Sequence, residues 1–264
     1  MRVRAILLGL VCTSIFAPAW AGTVPGFTLG AEAGYYCYRE SGLRITGPSA
    51  GVTASWTSWP GFAVLPRPLF LRFEGIGNLA YVDYSSEVSG TASGIFDLKG
   101  EARALVGGDI AAGTNLTVTP FAGIGYRMLY DLFGGTTTSR GTLGYNRLSQ
   151  YLYIPVGVSI EIPWDGWTVT PTLEADYLAQ GWQTSYIRNL GSDENITNAQ
   201  PNGYGFRGSL MLGRGPLSFG PYARFWKIGQ SEKATVTSGG APVAIAFEPS
   251  NNTYEVGLAL MSHF

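Results

Sequence analysis

The chain has 264 residues, 45% of them hydrophobic and only 13% charged, with a mean hydropathy of +0.11. Its 17 basic and 18 acidic residues give a formal net charge of −1, which excludes a basic face for nucleic acid or an anionic membrane surface. Two cysteines, Cys12 and Cys37, are too few for a disulfide framework.

In chain order, Arg2 and Arg4 precede an apolar run from Ala5 to Phe16, and Ala19-Trp20-Ala21 supplies a small-residue cleavage site before Gly22. Residues 1–21 therefore read as a secretory signal peptide and are set apart from the fold. Val11 stands before Cys12 where lipoprotein signals resemble one another in having Gly or Ala, so lipidation is not expected. Processing leaves residues 22–264 as one domain with 15 basic residues, 18 acidic ones and Cys37, expected to face lipid. No apolar run of about 20 residues follows, so no spanning helix is expected. A chain this apolar without such a helix must carry its hydrophobicity in alternation.

Ten alternating segments follow. The first, 26–39, sets Phe27, Leu29, Ala31, Ala33, Tyr35 and Cys37 against Glu32, Tyr36 and Tyr38. The second, 49–58, is weaker. The third and fourth, 69–84 and 95–110, set leucines, Phe73, Phe96 and alanines against Arg72, Glu74, Asn78, Asp97, Lys99, Glu101 and Arg103. The fifth and sixth, about 116–131 and 147–162, are the cleanest, with Arg127, Asp131, Arg147 and Glu161 on their polar faces. The seventh, 167–183, carries Glu174 and Asp176; the eighth, ninth and tenth cover 203–213, 217–229 and 251–264.

Connections alternate in length. Ala111–Asn115, Pro163–Gly166 and Arg214–Pro216 are short, whereas 85–94, 132–146, 184–202 and 230–250 are long and rich in Gly, Ser, Thr and Asn. Segments of roughly 10–17 residues are longer than the ~5–6 usual for sandwich strands and suit tilted membrane-spanning strands. Trp59, Trp164, Trp167, Phe219 and Phe264 gather near the short turns. Tyr81, Tyr130, Tyr151, Trp182 and Tyr204 lie toward the long loops, which suggests two aromatic girdles. The pattern predicts an all-β fold: a transmembrane, antiparallel, up-and-down β-barrel of ten strands. Eight strands with an N-terminal extension is the alternative.

By parity the lumen holds acids Glu32, Glu74, Asp97, Glu101, Asp131, Glu161, Glu174, Asp176 and Glu255, and bases Arg72, Lys99, Arg103, Arg127, Arg147, Arg207 and Arg224. Nearly balanced signs in a narrow barrel predict an ion-paired filling; a charge-selective pore calls for an excess of one sign. A polar path for small solutes is the competing reading. Gly123-Ile-Gly125 lies inside a strand with no following helix, so it reads as room for a neighbouring side chain rather than a phosphate loop. Ser192-Asp193-Glu194-Asn195 reads as a solvated loop rather than a calcium site. No metal or cofactor is expected.

The closing stretch places Tyr254, Val256, Leu258 and Leu260, then Ser262 and Phe264, on one face. It resembles the last strand of bacterial outer-membrane β-barrels, which implies recognition by the outer-membrane assembly machinery and a Gram-negative outer-membrane location. Glu101-Ala-Arg-Ala-Leu105 and Thr119–Asp131 look like stretches of opacity-like barrels, which implies location and fold but no activity. The strand count resembles the omptins, ten-stranded outer-membrane proteases whose site joins an aspartate pair to an aspartate–histidine pair. Here Asp83 lies near the outer rim, and the one histidine, His263, lies at the opposite end. Small-barrel lipid A hydrolases and acyltransferases also need a histidine near the outer leaflet. The expectation is therefore a non-enzymatic, monomeric barrel acting structurally or through loops 184–202 and 230–250, with a narrow channel second and a hydrolase a distant third. Its partners would be membrane lipid and an extracellular ligand of unspecified chemistry.

Overall fold

The computed structural model describes residues 22–60, 69–113 and 115–264. The signal peptide falls outside them. Fourteen strands form among the described residues: β1 (Gly26–Glu40), β2 (Leu43–Ser58), β3 (Phe70–Ser86), β4 (Gly90–Gly107), β5 (Ile110–Ala111), β6 (Thr117–Asp131), β7 (Arg147–Trp164), β8 (Trp167–Ser185), β9 (Ile196–Gln200), β10 (Gly203–Arg214), β11 (Leu217–Ile228), β12 (Ala234–Ser238), β13 (Ala241–Ala246) and β14 (Asn251–His263). Ten of them, all but β5, β9, β12 and β13, close an antiparallel barrel in meander order. Closure joins first to last: β1 and β14 pair from Thr28↔His263 to Glu40↔Asn251. Phe27 and Phe264 exchange backbone hydrogen bonds at 2.7 and 3.2 Å beyond that ladder. The eight-strand alternative is thereby overturned.

Period-two alternation dictates this arrangement, because a strand sends successive side chains to opposite faces. Leu29, Val52, Ile124, Val156, Leu173 and Leu258 all point outward and are exposed in the isolated chain. They belong to an apolar belt that continues around the barrel, far beyond what a water-soluble surface tolerates. At the belt's lower margin Trp56 stacks on Phe73 at 6.0 Å, and Trp167 meets Phe219 edge to face at 6.2 Å. Two residues assigned to the girdles belong inside. Tyr151 has its side chain in the lumen, 1% exposed. Trp59 turns in against Phe70 at 5.6 Å and packs on the buried cluster of Phe70, Leu105 and Phe121.

Short connections behave as read: Asp165 and Gly166, with φ of 47° and 74°, make the two-residue turn of the β7–β8 hairpin. Other boundaries move. Strand β2 begins six residues earlier than expected, because the ladder to β3 continues past Gly47 and Pro48 up to Leu43↔Ser86. Residues 85–94 are not a long loop; β3 and β4 rise to a three-residue turn, Glu87–Ser89. Loops 184–202 and 230–250 hold β9 and the β12–β13 hairpin.

Candidate functional site: the charged lumen

The sixteen charged residues read as inward-facing all project into the lumen, where they divide by height. At the end of the short turns and both described termini lies an open cavity of about 460 Å³, rich in hydroxyls such as Thr28, Ser55, Thr57, Ser159 and Thr172. Arg72 borders it, its Nε–H donating to Thr57 Oγ1 at 3.0 Å, and Glu161 and His263 face it. His263 Nδ1 shares a hydrogen bond with Thr28 Oγ1 at 3.1 Å.

Above this vestibule two arginines knit four carboxylates together. Arg103 from β4 reaches Glu174 of β8 at 2.6 Å and Glu74 of β3 through its Nε at 2.8 Å. Arg207 from β10 holds Glu101 at 2.6 Å, Asp176 at 2.9 Å and Glu174 at 3.0 Å. Glu101 lies 3.9 Å from Arg103 as well, so both Glu101 and Glu174 link the two guanidinium groups. Tyr153 donates its hydroxyl hydrogen to Glu101 and accepts from Arg207 at 3.0 Å. Beside this knot Arg224 pairs with Glu32 at 2.6 Å and Glu255 at 3.0 Å, and Lys99 reaches Glu255 at 2.5 Å.

Some of these bonds join neighbouring strands, as Arg103 with Glu74, Arg207 with Glu174 and Arg224 with Glu255 do, and others cross the barrel. Lys99 on β4 and Glu255 on β14 are four strands apart, as are Arg207 on β10 and Glu101 on β4. Arg127 on β6 donates to Thr253 Oγ1 on β14, on the opposite wall, at 3.4 Å, and lies over the Trp226 ring at 5.2 Å. Each charge is removed from bulk water and held by a charged or aromatic partner, the arrangement buried ions require. Glycines make room for it. A β-carbon at Gly205 would lie 2.8 Å from the Trp226 ring, and one at Gly125 would strike Tyr153.

The upper lumen departs from the all-polar filling expected. Tyr36, Tyr38, Ile45, Val82, Tyr84, Ile95 and Phe133 form one buried cluster there, and Tyr151, Tyr153, Leu178, Trp226 and Ile228 a second. Parity gives the face of a residue but not what packs against it, and beyond the knot aromatic and aliphatic side chains fill much of the space. Two small cavities, of about 30 and 20 Å³, lie in this half. At the top, Arg147 binds Asp131 at 3.1 Å and Glu248 at 3.3 Å, with Glu40 at 4.0 Å. Tyr38 donates to Glu248 and Glu40 at 2.9 and 3.0 Å. Asp97 lies opposite Asp131 in register, and its Oδ1 makes no hydrogen bond.

Three acids of the lumen escaped the sequence reading. Glu40 continues the inward parity of β1 one residue past the boundary expected for it, and Asp109, inside the expected fourth segment and of inward parity, was not counted. Glu248 comes from the loop before β14 and carried no periodic signal. Asp83 faces outward, paired in register with Thr46, so it contributes nothing inside. The terminal-strand residues Tyr254, Val256, Leu258, Leu260 and Phe264 are exposed on the outer face, 42–71%.

No family model and no curated protein sequence matches the chain. Solved structures do. The outer-membrane protease OmpT of Escherichia coli superimposes with a TM-score of 0.54 at 8% identity, over 94% of this chain and 100% of that one. An outer-membrane channel from Pseudomonas putida F1 gives 0.41 at 12% identity over 95% and 100%, and neisserial surface protein A gives 0.34 at 12% over 90% and 97%. The OmpT likeness establishes the fold, an outer-membrane-type β-barrel, and nothing of activity.

Proposed function

We propose that this chain is a monomeric Gram-negative outer-membrane protein, exported by cleavage near Ala21, that acts through its external surface and neither conducts solutes nor catalyses a reaction. The observation that carries this reading is the ion-paired knot at mid-height: Arg103 and Arg207 crosslink β3, β4, β8 and β10 through four carboxylates, beneath a half packed with aromatic side chains. The belt that needs lipid and the barrel fold support the location. The exposed face of β14 supports recognition by the assembly machinery. Omptin proteolysis is not carried over. The one histidine is bonded to Thr28 at the vestibule end, away from the loops that would meet an outside substrate.

The external surface offers the β12–β13 hairpin, whose Val243 and Ile245 are 60% and 67% exposed. A narrow channel is the second reading, favoured by the 460 Å³ vestibule that leads up to the knot. Planar-bilayer recording of the refolded chain 22–264 separates the two. A folded but silent barrel is the expected outcome. Steady unitary current in the unmutated protein, altered by Glu101→Ala or Arg103→Ala, would establish the channel instead.

A further inference from the structure

At the vestibule mouth, the segment Gly22–Pro25 is fastened inside the lumen before β1 begins. Gly22 N–H donates to Glu161 Oε2 at 2.6 Å. Thr23 donates through N–H to Asp109 Oδ2 at 2.6 Å and through its hydroxyl to Asp109 Oδ1 at 2.8 Å, while Trp59 Nε1–H donates to Thr23 O at 3.1 Å. Glu161 and Asp109 have no Lys or Arg partner within 4.0 Å among the described residues, in contrast to the carboxylates of the knot above. Position 22 also admits only glycine without strain. Its φ is +139°, and a β-carbon there would lie 2.8 Å from Asp109 Oδ2.

We propose that Glu161 and Asp109 form a receptor for the α-ammonium group that removal of residues 1–21 creates on Gly22. Hydrolysis of the Ala21–Gly22 bond consumes one water, leaves a carboxylate on Ala21 and turns the Gly22 nitrogen into a primary amine. Protonated, that amine carries a full positive charge at the atom already 2.6 Å from Glu161. A hydrogen bond from a neutral peptide donor to a carboxylate becomes an ion pair between partly buried groups. Processing thus sets one positive charge against the two carboxylates of the mouth and fixes the strap along one side of the vestibule. The inference rests on export with cleavage after Ala21, and not on whether the lumen conducts.

The other charged or titratable groups around this site are Arg72 on β3 and His263 on β14, and neither bonds to Glu161 or Asp109. An α-amine ordinarily titrates at about 7.7–8.0, and pairing with Glu161 raises that value. The strap is therefore ion-paired around neutral pH, where the amine is protonated and the carboxylate ionised, and the pair is lost as pH rises through the raised value.

The test uses processed protein purified from outer membranes, whose intact mass must correspond to a chain starting at Gly22. Acylation of the N-terminal amine is then followed against pH for wild type, Glu161→Gln and Thr23→Val, each checked for folding by heat-modifiable gel mobility. Wild type should react about tenfold more slowly than Glu161→Gln at pH 7.5, the effect of one pKa unit, and should catch up above about pH 10. Thr23→Val, which removes a bond but no charge, should keep the wild-type profile. Equal rates in wild type and Glu161→Gln, or a wild-type rate lowered by the same factor at every pH, would overturn the proposal. A mature chain beginning elsewhere than Gly22 would overturn its premise and leave the non-conducting reading untouched.

Discussion

A single guanidinium illustrates how the interior is held. Arg207 touches Glu101, Glu174, Asp176 and Tyr153, all within 3.0 Å. Replacing it with alanine strands three carboxylates around a space too polar to collapse. Loss of one partner from a buried ionic cluster typically costs about 3–5 kcal/mol. The vestibule admits water to the lower side of this cluster, so the lower figure, roughly 3 kcal/mol, is expected for Arg207→Ala in urea unfolding of the barrel in detergent. Restoring the cluster's original net charge with Glu174→Gln in the same chain should recover part of the loss. Asp193 acts outside the membrane. It accepts hydrogen bonds from the Gly239 and Gly240 N–H groups at 2.8 and 3.0 Å, and these bonds hold its carboxyl below the usual aspartate range. The hairpin tip is therefore secured at neutral pH and released as pH falls below about 3.9 and through the lowered value. Amide resonances of Gly239 and Gly240 followed from pH 6 to 2 should show that transition, and Asp193→Asn should abolish it. The sequence marked Ser192–Asn195 only as a solvated loop, because a carboxylate bonded to glycines 46 and 47 residues away leaves no local signature.

At the scale of elements, legibility followed length and contrast. Strands β6 and β7 were readable almost to the residue, since bulky apolar side chains alternate with polar ones over 15 and 18 positions. The start of β2 was not, because Gly47 and Pro48 blur the pattern where the strand rises beyond the belt. Strands β9, β12 and β13 span only five or six residues, and a register shift between Val236 and Thr237 breaks the alternation of the last two. These short elements stand apart energetically as well. The β12–β13 hairpin pairs with itself and not with the barrel wall. Replacing 234–246 by a short Gly-Ser linker should leave the barrel's thermal midpoint within a few degrees of wild type by circular dichroism. The same deletion should remove surface binding if the loops carry it. Glu248, which ties the returning chain to Arg147, must be kept for that comparison to be clean.

For the molecule as a whole, parity along each strand disclosed which charges face inward, and turn chemistry disclosed how many strands there are. Which charge meets which was hidden. Arg103 and Glu174, or Lys99 and Glu255, are brought together only when the sheet curls until non-neighbouring strands face each other. The apolar packing of the upper half was hidden for a related reason: Tyr36, Val82 and Phe133 come from three different parts of the chain and become a core only on closure. If the knot is the seal, Arg103→Ala with Arg207→Ala should turn a silent barrel into one with small, cation-preferring openings, because Glu74, Glu101, Glu174 and Asp176 would remain. Continued silence of the folded double variant would assign the seal to the aromatic half instead.

The pairing of β1 with β14 sets the order of events during biogenesis. Each hairpin of the meander can zip from its own turn, but the seam waits for strands separated by more than two hundred residues. Until the seam forms, the nascent sheet has two raw borders of unpaired N–H and C=O groups, which invite pairing with any other chain in the periplasm. A barrel sewn shut by its most distant strands therefore keeps its hazardous edges until late, and that state ends in a single stitch.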